Sequence, residues 1–217
     1  MVDDVIKTRQ RALRSHRIVR EALDRLSREL PDSLFYHALP HTEDVLDEVV
    51  RFAMIDNLTA REVELLAIAA ACHDVGFINS PEANESIGAA FARECMERQS
   101  GYSSEEILLV DRMILDTALV VTADGPCQIP STRLSRYLLD ADLSNLGRDD
   151  FFEKGELQRR ELGQDEDRFR RNALALLQAH RWHTDAGQSL RQKKKEDNER
   201  ILREKIGANT SGPLKSP

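Results

Sequence analysis

A chain of 217 residues with 38 acidic and 31 basic side chains carries a net charge of -7 and is long enough to enclose a full hydrophobic core. That balance argues against non-specific nucleic-acid binding as a main role, and an anionic ligand would need local help from a metal or an arginine. The three cysteines, Cys72, Cys95 and Cys127, share no short spacing, so neither a disulfide framework nor a zinc knuckle is indicated and reduced thiols are the simpler reading.

Met1-Val2-Asp3-Asp4 is acidic and lacks an apolar signal core, and the longest strongly apolar run, Leu65 to Cys72, is too short to span a bilayer. A soluble, cytoplasmic protein with no membrane partner is expected. Along the chain, Val19, Ala22, Leu23 and Leu26 recur at helical spacing and Pro31 stops that first helix. Leucines left exposed on it could pair two subunits. Thr59-Ala60-Arg61-Glu62 and Ser103-Ser104-Glu105-Glu106 each have the form of a capping box. The run from Leu65 to Cys72 is apolar on every face, which predicts a centrally buried helix with His73-Asp74 at its end and Gly76 available to terminate it. Ser80-Pro81 supplies an N-cap and first-turn proline for a helix through about Gln99. Leu119 to Thr122 reads as a strand or a loop. From Arg191 through Lys193, Lys194, Lys195, Glu196, Asp197 and Glu199 a charged helix is expected, its lysines a solvated face, and Thr210-Ser211-Gly212-Pro213 reads as a disordered end. The sum is an all-α chain of roughly seven to ten helices, taking a mean length of about 11 to 12 residues.

Against that background the chain sets out a series of metal-ligand side chains: His41, then His73-Asp74, then Asp142, with His37 four positions before the first. Imidazole nitrogens and carboxylate oxygens suit a borderline divalent ion. His41 lies just ahead of Thr42-Glu43-Asp44, a plausible helix start, and Asp142 would arrive from a third element. Such a set leaves positions open for water and a substrate phosphate, and an ion held there acidifies water and draws charge from phosphoryl oxygens.

Three segments, Tyr36-His37-Ala38-Leu39-Pro40-His41, Ala71-Cys72-His73-Asp74-Val75-Gly76 and Leu139-Asp140-Ala141-Asp142-Leu143, together resemble the HD-domain superfamily of metal-dependent phosphohydrolases over about Tyr36 to Leu162. The resemblance implies a single helical HD domain over 1–190, followed by the charged helix and tail of 191–217, with a metal site between central helices. It implies His41, His73, Asp74 and Asp142 as ligands of a divalent ion, whether manganese, iron, magnesium, zinc or nickel. Asp142, directly before a leucine, matches the family ligand, which leaves Asp140 to cap a helix or stand behind the site. The Tyr-His-x-x-x-His pattern is similar to that of class I cyclic nucleotide phosphodiesterases and implies His37 as general acid, a task its ordinary pKa of about 6.5 suits. A structural histidine that orients the loop by bonding a carboxylate is the other reading of His37. Asp74, as a catalytic residue, could bridge a second ion. Some relatives carry a His-Glu pair where this chain has Asn84-Glu85, so one tight ion with a weaker, hydrated second is expected.

Asn84 and Glu85 are then candidates for the substrate side, although Glu85 reads equally as a helix-surface glutamate. Arg148 in Gly147-Arg148-Asp149-Asp150-Phe151-Phe152 could meet a substrate phosphate with its planar fork, or be a surface arginine. His180 and His183 flank Trp182 at a spacing that would place both on one helical face, for metal binding or, more simply, packing. Cys72 reads as a small core residue. The functional expectation is a phosphodiesterase or phosphatase acting on a nucleotide or nucleotide second messenger. The alternative is a non-hydrolytic HD module that binds a nucleotide or a partner as a sensor.

Overall fold

The computed structural model describes residues 2–210, and the sequence expectation for 211–217 lies outside them. Among the described residues there are ten α-helices: α1 (Val2–Arg14), α2 (Arg17–Glu29), α3 (Leu39–Ile55), α4 (Ala60–Cys72), α5 (Asn84–Arg98), α6 (Ser104–Leu115), α7 (Ser135–Asp142), α8 (Phe151–Glu161), α9 (Glu166–Ala179) and α10 (Asp185–Thr210). A two-stranded antiparallel ribbon, β1 (Val120–Thr122) and β2 (Gly125–Cys127), joins α6 to α7. The architecture is an all-α bundle. No described helix is long and apolar enough to cross a membrane.

Local chemistry places the helix starts. Thr59 Oγ1 accepts from the Glu62 N–H while the Glu62 carboxylate accepts from the Thr59 N–H at 2.8 Å, so two otherwise orphaned donors are satisfied where α4 begins. Ser103 and Glu106 do the same for α6, at 3.2 and 2.9 Å. α2 stops at Glu29, two residues before Pro31. α3 begins earlier than the sequence suggested: Pro40 occupies its first turn, where a missing N–H costs nothing, and His41 is therefore inside the helix. After Ser80, residues Pro81–Ala83 form a 3-10 turn, and α5 starts only at Asn84; the Ser80 hydroxyl bonds the Glu82 side chain instead of capping.

α4 is the centre of the main core. Leu66, Ala67, Ile68, Ala69, Ala70, Ala71 and Cys72 are each 0 % exposed, and the helix packs against α2, α3, α5, α6 and α7. Each fully buried aliphatic side chain of this kind contributes about 1.5–3 kcal/mol of transfer free energy. Val19, Ala22 and Leu26 of α2 face the same core, with the partly buried Leu23 packed against it. A second, smaller cluster joins Leu146, Phe151, Leu177 and Leu202, from the segment after α7 and from α8, α9 and α10.

The C-terminal helix departs from the solvated face expected of its lysines. It starts at Asp185, Lys195 is 4 % exposed with its ammonium donating to the His180 carbonyl at 2.6 Å, and Asn198 donates to the carbonyls of Leu146 and Arg148 at 3.0 and 2.9 Å. These polar side chains fasten α10 to the chain that follows the end of α7, because buried donors must find acceptors.

Candidate metal centre

α4 ends at Cys72 with His73 as its C-cap, so the buried helix delivers His73 and Asp74 together to its own terminus. Both are buried, at 1 % and 4 % exposure. The His73 ring donates through Nδ1 to the Ala70 carbonyl at 2.7 Å, which leaves Nε2 facing inward as the atom that could ligate an ion. Gly76 has no left-handed φ and does not end the helix. Its role is contact: a Cβ there would meet the Asn84 carbonyl oxygen at 2.2 Å, and a Cβ on Gly88 would meet the Cys72 carbonyl oxygen at 2.5 Å. The start of α5 thus lies against the His73-Asp74 turn.

Four side chains converge there. His41 Nε2, from the first turn of α3, is 3.2 Å from Asp142 Oδ1 and 3.5 Å from Asp74 Oδ2. His73 Nε2 is 3.2 Å from Asp74 Oδ2 and 3.6 Å from Asp142 Oδ1, with Asp142 arriving as the last residue of α7. His41, His73 and Asp142 offer ligand atoms that all lie within 4.8 Å of one another, the single such group among the described residues, and Asp74 Oδ2 stands beside both imidazoles. Ligand atoms about 2.0–2.2 Å from one ion sit about 3.0–3.5 Å from each other, which is the spacing found. His73 Nε2 and Asp74 Oδ2 are moreover buried with no hydrogen-bond partner, a costly condition unless a cation meets them. The residues present fit a divalent ion.

In the metal-free site the acids and imidazoles are coupled: burial opposes charge on the His73 ring, but Asp74 and Asp142 push its pKa well above the ordinary 6.5. Burial pushes the Asp74 carboxyl up, but the neighbouring His73, His37 and His41 outweigh it and hold its pKa down to about 2. Asp142 moves the same way, burial being overcome by the His41 imidazole, to which it is hydrogen-bonded, and by the neighbouring His73 ring. Both acids are therefore ionised, as ligands must be.

Three residues hold this group in place, and two of them carried no sequence signal. Asn84 Nδ2 donates to the His73 carbonyl at 3.1 Å and to Asp74 Oδ1 at 3.2 Å, while its Oδ1 accepts from the Phe77 N–H at 3.1 Å. Its amide is bonded to the His73-Asp74 turn, and the residue also lines the cavity at this centre. Gln128, just after β2, donates to Asp142 Oδ2 and to the Thr117 carbonyl, each at 2.6 Å, and so fixes the carboxylate oxygen that does not face the imidazoles. Glu161, the last residue of α8, accepts from the backbone N–H groups of Tyr36 and His37 at 2.8 and 3.0 Å and bonds the His37 ring at Nδ1.

His37 stacks on Phe77 with centroids 4.2 Å apart and lines a cavity of about 220 Å³ together with His73, Asp74 and Asp142. Burial opposes charge on its ring, but the hydrogen bond to Glu161 and the nearby Asp74 and Asp142 carboxylates raise its pKa above the ordinary 6.5. Glu85 lines the same cavity. Arg148 does not. Its guanidinium is bound to Asp150 at 3.0 and 2.6 Å and lies 3.6 Å from Asp44, in a separate charged cavity, which removes it from phosphate binding at this centre.

Asp140 is fully buried and turned away, accepting from the N–H groups of His183 and Thr184 and from the Thr184 hydroxyl at 2.9, 2.9 and 2.7 Å; burial raises its pKa to about 6. It fastens the segment before α10, in line with a capping role. His180 and His183 lie in that same segment, past the end of α9, and share no helical face. Cys72 is a buried core residue, and all three cysteines are free. No family model matches the chain, and neither a curated protein nor a solved structure matches it.

Proposed function

We propose that the chain is a metal-dependent phosphohydrolase of the HD-domain superfamily that cleaves a phosphate mono- or diester, with a nucleotide or nucleotide second messenger as the expected substrate class. The observation that carries this reading is the pair of buried, unpartnered ligand atoms, His73 Nε2 and Asp74 Oδ2, beside His41 Nε2 and Asp142 Oδ1. Two imidazoles and two carboxylates make a mixed nitrogen and oxygen set, within the range of manganese, iron, zinc, nickel or magnesium. When bound, such an ion supplies an acidified water for attack and withdraws charge from the phosphoryl oxygens.

The remaining work falls to the chain. Asn84 and Gln128 hold the outer oxygens of Asp74 and Asp142, which keeps the other oxygen of each aimed inward. His37, its pKa raised above the ordinary value and its ring tethered through Nδ1 by Glu161, keeps Nε2 to hand a proton to the leaving alcohol oxygen. On this reading the carboxylate that orients His37 also favours the protonated form that a general acid needs. The three free cysteines suit a reducing cytoplasm. A panel of phosphate mono- and diesters, run with wild type and Asp74→Ala side by side, tests the proposal. Turnover that needs metal and disappears in the variant supports it; turnover that survives in both Asp74→Ala and chelator overturns it.

A further inference from the structure

The cavity at the metal centre adjoins a second, larger one of about 410 Å³, and Tyr36, Leu119, Leu143, Gln158 and Leu176 line both. The larger cavity is within the size of small-molecule sites, roughly 300–1,000 Å³. It is walled by α8, α9, β1, β2 and the segment after α7, and not one of its lining side chains is charged. The contrast with the charged cavity next to α3 is sharp: that one is lined by Asp44, Asp47, Glu48, Arg51, Arg148 and Arg191 among others. Two further features point to a ligand. The rim carries large apolar side chains left in water, with Leu119 at 53 %, Val121 at 88 % and Leu162 at 52 % exposure, where a folded surface gains nothing from them. Asn145, which lines the larger cavity, and Gln128, which lines the smaller, each hold a buried amide oxygen, Oδ1 and Oε1, that lacks a donor. Rotating the Gln128 amide would set its oxygen against the Thr117 carbonyl and the Asp142 carboxylate, so the oxygen is the atom left without a donor.

We infer that this cleft receives the organic half of the ester, and that this half is uncharged, presents a broad apolar face such as an aromatic ring, and carries N–H or O–H donors. The inference rests on the phosphohydrolase reading and narrows its substrate: all of the substrate's charge sits on the phosphate being cleaved. A second anionic group in the cleft would be desolvated with no cation to meet it. Sugar bisphosphates and nucleoside triphosphates are thereby poor substrates.

The test uses 2-naphthol, an uncharged aryl alcohol with its own fluorescence, titrated into the full-length, chelator-treated protein. Saturable binding to wild type is expected, weakened about tenfold by Ala173→Phe, which fills the cleft from α9, and by Leu162→Asp, which sets a charge on its exposed rim without touching the core. Circular dichroism verifies that both variants fold. No saturable binding to wild type, or binding that neither variant changes, overturns the inference. Since the titration needs neither metal nor turnover, it separates the two claims. Naphthol binding without hydrolysis of any ester would leave the cleft standing and remove the hydrolase. Hydrolysis with 2-naphthyl phosphate no better than glycerol 2-phosphate would do the reverse.

Discussion

Glu161 and His37 are 124 residues apart and share two hydrogen bonds, one from the His37 backbone N–H and one to the imidazole itself, while the same carboxylate accepts from the Tyr36 N–H in the loop before α3. One carboxylate therefore sets both the path of the loop and the charge of the ring. Replacing His37 by Ala is expected to lower kcat about 100-fold or more while metal content stays unchanged, because the acid is lost and the ligands are not. Glu161→Gln is expected to lower kcat about tenfold and to move the alkaline limb of the kcat profile to lower pH. An unshifted limb would show that Glu161 does not tune the ring.

The same pair gives stability a defined pH window in chelator-treated protein. The Glu161 pKa is held below its ordinary 4.5, chiefly by the hydrogen bond to His37 against the effect of burial, so its contribution is present above that value and lost as pH falls through the folded pKa. The His37 pKa lies above 6.5, so its contribution is complete below that value and lost as pH rises through the folded pKa. Wild type should exceed Glu161→Gln by about 1–2 kcal/mol, with the largest gap between pH 4.5 and 6.5. Denaturant melts across pH 4 to 9 measure it; a gap that is flat over that range contradicts it.

Asn84→Ala removes two donors and one acceptor from the His73-Asp74 turn. Metal affinity is expected to fall about 10- to 100-fold, read by competition with a chelating dye, with a stability loss of about 1–3 kcal/mol from the buried groups it strands. Gln128→Leu, which strips Asp142 Oδ2 of its donor, should lower metal affinity by about tenfold. Unaltered affinity in both variants would mean that the ligands are held by their backbone alone.

A glycine-to-alanine change inside a helix ordinarily stabilises by about 0.5–1 kcal/mol. Gly88→Ala is expected to do the opposite, since the new Cβ would sit 2.5 Å from the Cys72 carbonyl oxygen, and backbone cannot move aside as a side chain does. A loss of about 1–3 kcal/mol in a thermal melt is the expected result, together with weaker metal binding as α5 is pushed off the His73-Asp74 turn. An increase in Tm would show that the contact gives way freely.

Much of this arrangement was readable in the chain. The capping boxes at Thr59 and Ser103, the all-apolar run of α4 and the position of His73-Asp74 at its end are local patterns, and local patterns survive folding. Gln128 and Glu161 were not readable. Gln128 meets Asp142 through a loop, and Glu161 closes the Arg-rich helix α8, where its neighbours Arg159 and Arg160 mark it as one more surface charge. Arg148 failed for a related reason: a motif places a guanidinium near a site in sequence, but Asp150, two residues on, claims it first. Pro40 hid the start of α3 because a first-turn proline looks the same as a helix breaker until the backbone is seen.

The central claim is that His41, His73, Asp74 and Asp142 hold a divalent ion, and the most direct measurement is metal content by mass spectrometry after reconstitution with manganese and gel filtration, for wild type and Asp142→Ala together. Wild type is expected to retain about one equivalent, with a Tm raised by several degrees over the chelated protein, and Asp142→Ala to retain none. Wild type without metal, or a variant that holds as much as wild type, would contradict the account.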